Sequence, residues 1–409
     1  MNGTAASLQN LDDYIVKGTP GFTRTSLALF AGGFATFALL YCVQPLMPLL
    51  SREFGLNAAQ TSLVLSSSTI MLAVGLLITG PLSDAIGRKN LMVTSLISAA
   101  LCTLCSSLVS SWESVLILRA LLGLSLSGLA AVAMTYLGEE VHPNSIGLSM
   151  GLYIAGNAIG GMSGRLILGV LVDFVDWRVA MALLGCLSLT GGLIFWRILP
   201  ASRHFTPTPL NLRNLVAGYR NHLRDQGLPW LFLEAFLLMG AFVTLFNYIG
   251  YRLLDAPYHL SQTLVGLLSV VYLSGIFSSA WIGSLADRLG RRKVFRAVIL
   301  LTLGGLLLTL LPQLPAILIG LLLFTFGFFG AHSVASSWIG RRALVAKGQA
   351  SSMYLFCYYV GSSVAGTLGG LFWHHFGWSG VGLFIGGLLL LALLVAQRLS
   401  RLEPLAQNA

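Results

Sequence analysis

The chain has 409 residues, of which 56% are hydrophobic and only 9% charged. Soluble domains carry about 25% charged residues, so an ordinary soluble fold is excluded. A formal net charge of +10 invites a nucleic-acid reading, but the placement of the cations points elsewhere.

Residues 1–24 form a polar tail with Asp12 and Asp13. A secretory signal has instead a basic start and an apolar run of about 7–15 residues. Twelve apolar runs follow, over 25–50, 60–82, 91–110, 113–137, 146–171, 177–199, 229–254, 262–286, 294–311, 314–338, 349–372 and 377–398. Each approaches the roughly 20 residues that cross a ~30 Å hydrocarbon core. Backbone groups in lipid need internal partners, and the alternation of a barrel is absent, so the runs predict helices. Cys102 and Cys105 form a C-x-x-C inside the third run, with no histidine or second pair nearby, and read as packing residues. A polar stretch over 200–228 carries Arg203, His204, Arg213, Arg220, His222 and Arg224. It divides the chain into six-helix bundles over 25–199 and 229–398, with a tail at 399–409. No G-x-x-x-x-G-K-[ST] phosphate loop occurs, so the energy comes from a gradient or from the substrate itself. Nothing implies an enzyme, a cofactor or a metal.

With a cytoplasmic N-terminus and twelve crossings, the 24 Lys and Arg fall on the cytoplasmic side, save Arg52, Arg119, Arg165, Arg178 and Arg252. That bias orients the protein in a bacterial inner membrane with both termini cytoplasmic. It also accounts for the net charge without nucleic acid and suits an anionic lipid surface.

"GPLSDAIGRKN" at 80–90 returns 203 residues later as "GSLADRLGRRK" at 283–293. Gly80, Asp84, Gly87 and Arg88 thereby match Gly283, Asp287, Gly290 and Arg291. Gly156, Gly160 and Gly164 are answered by Gly361, Ala365 and Gly369, a stripe of small residues that admits a neighbouring helix. Two parallel halves joined by a basic linker describe a transporter better than a channel or a membrane enzyme. The repeated phrase reads as a gating latch. Gly80 and Gly283 let a helix end press on its neighbour, while Gly87 and Gly290 permit the tight turn. Asp84 and Asp287 are placed to meet a helix N-terminus across the seam between the halves. Arg88 has Glu139 and Glu140 as acid candidates at the end of the fourth helix. Anchoring alone explains the cations, but not two aspartates and four glycines at fixed spacing.

The motif G-x-L-[SA]-D-x-x-G-R-[RK], present twice between the right helices, resembles the signature of the major facilitator superfamily. The resemblance implies an all-α membrane protein of twelve helices in two pseudo-symmetric six-helix bundles, working by alternating access. Arg119 followed by Gly123 resembles a second family motif, whose arginine is implicated in proton coupling. "MGLYIAGNAIGGMSG" resembles the antiporter motif of the fifth helix, although Gly156-Asn157 stands where that motif has Gly-Pro. In this fold helices one, four, seven and ten line the cavity, which nominates Tyr41, Gln44, Asn247, Tyr248 and Ser333, with Tyr358 close behind.

An arginine inside a span costs at least ~2.5–3.5 kcal/mol on insertion scales, so Arg119 needs a cavity or a partner. Arg165 is also deep, within reach of Asp173 by sequence. No carboxylate lies at depth in the first or fourth helix, which leaves Glu234 and His332 as proton carriers, the latter titrating near neutrality. The favoured reading is a monomeric, proton-coupled exporter of small organic or drug-like molecules. An importer or exchanger of an anionic metabolite, with Arg119 as counter-ion, stays open beside it.

Overall fold

The computed structural model describes residues 14–205 and 212–402, and every extended element among them is a helix. α1 (Pro20–Tyr41) starts with Thr19 accepting from the Phe22 amide at 3.2 Å and with Pro20 in its first turn. The sequence predicts one span over 25–50, but the helix stops at Tyr41 and a separate α2 (Met47–Phe54) follows a turn. Pro45 is the cause: it lacks an amide hydrogen and disfavours helical geometry at Gln44. α3 (Ala58–Ile86) opens on a reciprocal cap between Asn57 and Gln60. α4 (Arg88–Ser106), α5 (Trp112–Glu140), α6 (Ile146–Leu171) and α7 (Trp177–Ile198) complete the N-terminal half.

A short α8 (Leu212–Arg224) precedes α9 (Leu228–Leu254). α10 (Gln262–Leu267) runs through a 3-10 turn (Leu268–Val271) into α11 (Tyr272–Leu289). α12 (Arg291–Thr309), α13 (Leu314–Arg342) and α14 (Lys347–Arg401) end the chain. At 55 residues and about 1.5 Å per residue, α14 exceeds twice a ~30 Å core. It is interrupted at Gly377 (φ 57°, ψ −145°), giving arms over 347–376 and 378–401.

Ten helices among the described residues are long and apolar enough to cross a membrane, against the twelve expected. α14 counts once despite its two arms, and α12 falls short because Arg291, Arg292, Lys293 and Arg296 crowd its start. Outward-facing Leu187, Phe277, Leu383 and Leu394 are exposed, a surface that suits lipid and not water.

The helices repeat their neighbours. α1 lies on α6, and α9 lies on the first arm of α14; α3 meets α5 as α11 meets α13. α4 contacts α5 and α7, as α12 contacts α13 and α14. Across the seam α3 faces α14, and α6 faces α10 and α11.

Glycines set the closest of these approaches. A methyl at Gly156, Gly160 or Gly164 would overlap the carbonyl oxygens of Phe30, Phe34 and Ala38 on α1 in turn. One at Gly361 would overlap the Phe236 carbonyl oxygen, and one at Gly369 the Thr244 side chain, both on α9. The two small-residue stripes therefore do the same job in each half, at the same register.

Candidate substrate path and gates

At one end the halves are tied together. Gln44, in the turn after α1, donates from Nε2 to Asn247 Oδ1 on α9 at 2.7 Å. Arg165 on α6 donates from Nε to Gln44 Oε1 at 2.5 Å. Beside this chain, Ser66 meets Thr367 at 2.8 Å and Thr69 meets Ser363 at 2.7 Å. Asp173 accepts from the Thr263 amide at 2.8 Å, and Arg52 pairs with Asp255 at 3.3 Å on the rim. Sequence proximity suggested that Arg165 would reach Asp173. It turns inward to Gln44 and to the Gly161 carbonyl instead, because Asp173 caps the α10 end across the seam.

Arg119 is wholly buried on α5. Its guanidinium donates to the carbonyls of Leu39 at 2.9 Å, Leu40 at 2.6 Å and Val64 at 3.0 Å. Leu39 and Leu40 lie in the last turn of α1, where carbonyls lose their helical partners, and the arginine replaces those donors. Gly123, one turn further along, admits the Ser68 backbone of α3 and so brings Arg119 against Val64.

Two residues nominated for the cavity serve packing instead. Tyr248 is fully buried, and its hydroxyl donates to the Gly366 carbonyl of α14 at 2.5 Å. Ser333 donates to the Ser279 carbonyl at 2.9 Å and ties α13 to α11. Both lie on cavity-lining helices, but face a neighbouring helix.

The interior is aromatic. Tyr41 and Tyr272 flank the Arg165 guanidinium at 4.4 and 4.6 Å from their ring centroids. His332 bonds through Nδ1 to the Tyr354 hydroxyl at 2.9 Å and lies 4.9 Å, ring to ring, from Tyr358. Glu234 is fully buried on α9, and neither carboxylate oxygen has a hydrogen-bond partner. Tyr354 is within its electrostatic reach.

At the other end lie the repeated phrases. Gly87 (φ 100°) and Gly290 (φ 90°) make the sharp turns into α4 and α12, a backbone geometry that side chains strain. Arg88 grips Glu139 through two bonds of 2.7 and 3.0 Å and also contacts Asp84 and Ser83. Glu140 is not its partner: the end of α5 turns that carboxylate to the His204 amide at 3.0 Å and its ring at 3.3 Å. Asp287 pairs with Arg291 at 2.6 Å and Arg341 at 3.1 Å. Neither aspartate meets a helix N-terminus across the seam, and both stay half-exposed. Gly80 faces open space, and a methyl at Gly283 would sit 3.3 Å from Ser333 Oγ. The pressed contact expected at Gly80 is not made in this structure.

Among the described residues no hydrogen bond joins α1–α7 to α9–α14 here. Tyr219 of α8 alone reaches over, donating to the Leu77 carbonyl at 3.2 Å. The base of α9 is clasped by Asp225, which accepts from Arg342 Nε at 2.5 Å and from the Gly227 and Leu228 amides at 2.8 and 2.7 Å. Burial pushes the Asp225 carboxyl up, but Arg342 and the two amides outweigh it and hold it below the usual carboxylate range.

A helical bundle built as a repeated half, its halves hydrogen-bonded together at one end, fits a membrane transporter. The Major Facilitator Superfamily profile matches residues 29–255 and 250–408, and the chain belongs to that superfamily. It is 61% identical to the inner membrane transport protein YnfM of Escherichia coli K12, over 97% of this chain and 95% of that one. It is 49% identical to the uncharacterized MFS-type transporter YybF of Bacillus subtilis 168, over 95% and 96% of the two chains. The fold is shared with a bacterial homologue of the human lysosomal transporter Spinster, crystallised inward-facing and occupied. That likeness has a TM-score of 0.77 at 14% identity, covering 94% of this chain and 97% of the other. The protein is therefore a membrane transporter and not an enzyme.

Tyr272 is the interior residue that sequence reading passed over, whereas Arg165 was marked as deep but given Asp173 in place of Gln44 as its partner. Tyr272 sits where a helix breaks and restarts, and no pattern in the sequence marks it.

Proposed function

We propose that this protein is a proton-coupled secondary transporter that exports small organic molecules across a bacterial inner membrane. Its twelve crossings comprise the ten apolar helices, α12, and the second arm of α14. The segments 25–199 and 229–398 are the two moving bundles, 200–228 is the linker, and both termini are cytoplasmic. This orientation puts the repeated phrases on the cytoplasmic side, where 24 Lys and Arg concentrate apart from the five named above. The structure then corresponds to an inward-open state.

The two phrases act as gate hardware. In the outward-open state Asp84 and Asp287 leave their present arginines, at least in part, and engage the helix ends brought together across the seam. Gly80 and Gly283 then take up the close contact.

One observation carries the coupling: Glu234 is buried with both carboxylate oxygens unpartnered. A charge there would be costly, so the group carries a proton while enclosed and releases it when the cycle brings water to it. Tyr354 and His332 extend the path towards the cavity. Arg119, which donates to backbone carbonyls from all three of its nitrogens, is better suited to holding the end of α1 than to relaying protons or binding an anion.

The test uses vesicles containing the purified protein and an internal pH dye, challenged with a compound panel. Glu234→Gln should abolish substrate-driven pH change while exchange of labelled substrate continues. A pH signal of wild-type size in that variant would overturn the assignment.

A further inference from the structure

Arg165 is 4% exposed and has no carboxylate partner. Nε and Nη1 are used, by Gln44 and by the Gly161 carbonyl, both neutral acceptors. Among the described residues no acid of that end pairs with Arg165: Asp173 engages the Thr263 amide, Glu53 engages Trp177 and Arg178, Asp176 the Arg178 amide and Asp255 Arg52. Glu234 does not neutralise it either. Asn247, at the level of Gln44, lies thirteen residues along α9 from Glu234, about 20 Å away.

A cation this deep is costly unless something compensates it, and an unpaired interior arginine marks a functional site by default. The second observation is beside it. The Tyr272 hydroxyl is buried with no hydrogen-bond partner, and its ring packs on the Arg165 guanidinium. The Tyr41 ring lies against the same guanidinium. A narrow cleft at the seam, with about 20 Å³ of free space, is lined by Arg165 with Gln44, Phe246, Ile249, Gly266 and Ser269. It has room for a water in this state, and an organic anion enters only when the seam parts and the Tyr41 and Tyr272 faces of the guanidinium open to it. The unused groups, guanidinium Nη2 and a phenol, are donors. The ligand that satisfies them is an acceptor carrying negative charge.

We infer that Arg165 anchors the carboxylate of an organic, preferentially aromatic, anion carried by this transporter. Tyr272 donates the second hydrogen bond, and Tyr41 and Phe246 cover the apolar body. Aromatic faces on either side of the guanidinium hold its fork in plane for a two-point grip on the carboxylate. This deepens the transport reading and rests on it for the word "carried", but the anion site itself is tested without any flux.

Equilibrium binding to the protein in lipid nanodiscs is measured with matched pairs: benzoate and benzamide, phenylacetate and phenylacetamide, indole-3-acetate and its amide. Benzyltrimethylammonium serves as the cationic control. At least one carboxylate should bind about tenfold or more tightly than its amide, the scale of a charge-assisted hydrogen bond. Arg165→Gln should erase that preference, and Tyr272→Phe, which keeps the ring, should reduce it. Arg165→Lys, which keeps the charge without the fork, should retain part of it and serves if the glutamine variant does not fold.

Amides binding as well as acids throughout the panel, or a preference that survives in both Arg165→Lys and Tyr272→Phe undiminished, would overturn the assignment. If the preference is present but labelled anion does not cross proteoliposomes, the anion site stands and the transport reading fails.

Discussion

Removing the Arg119 guanidinium would take a donor from the carbonyls of Leu39, Leu40 and Val64 inside the membrane, leaving Leu39 to the weak Cys42 thiol and Val64 to its own helix. Each unpaired buried group costs about 1–3 kcal/mol, so the loss is one of stability. Arg119→Ala should lower the yield of folded protein and its melting temperature in detergent, with Arg119→Lys intermediate because one ammonium cannot reach three acceptors in a fixed fork. Were Arg119→Ala to melt like the wild type and lose only the proton signal, the arginine would belong to the coupling path. The contrast with Arg165 is one of partners: two buried arginines, one donating to backbone from all three nitrogens, the other from two, with Nη2 unused. Hydropathy treats them alike. Only the positions of the α1 terminus and of Gln44 distinguish them.

Helix contacts at the glycines are decided by backbone, which cannot retreat. Gly160→Val would drive a side chain into the Phe34 carbonyl of α1, and Gly361→Val into the Phe236 carbonyl of α9. Both variants should separate their helix pair and leave little monodisperse protein in size-exclusion runs. Gly80→Ala meets nothing within 4 Å and should fold normally. If Gly80→Ala folds yet transports slowly, the contact it blocks forms only in the other state, as proposed for the gate; unaltered transport would remove Gly80 from it. The glycine spacings and the sharp turns at Gly87 and Gly290 were legible in the sequence, since periodicity and local chain geometry are properties of neighbours along the chain. The break at Tyr41 was not foreseen, because hydropathy averages through Pro45 without registering the missing amide.

For the whole molecule, the ties at the Gln44 end must break for the substrate path to open there. Cysteines replacing Arg52 and Asp255, whose side chains approach to 3.3 Å, should react with a short reducible bifunctional thiol reagent in a background without the five native cysteines. The cross-link should arrest transport, and reduction should restore it. Full transport with the link in place would mean that this end need not part, contrary to alternating access.

By itself the sequence determined the membrane class, the helical content, the internal repeat and the superfamily. All of these rest on composition and on spacings between residues near in the chain, which lipid and backbone hydrogen bonding convert directly into helices. Tertiary structure decided which polar side chains face the seam and which are used up in packing. Tyr248 and Ser333 sit on cavity helices but bond to a neighbouring backbone, Glu140 serves His204 where Glu139 serves Arg88, and Arg165 passes over Asp173 for Gln44. Such choices depend on the rotation of each helix about its axis and on partners far away in sequence. A turn of about 100° per residue separates a cavity residue from a packing one.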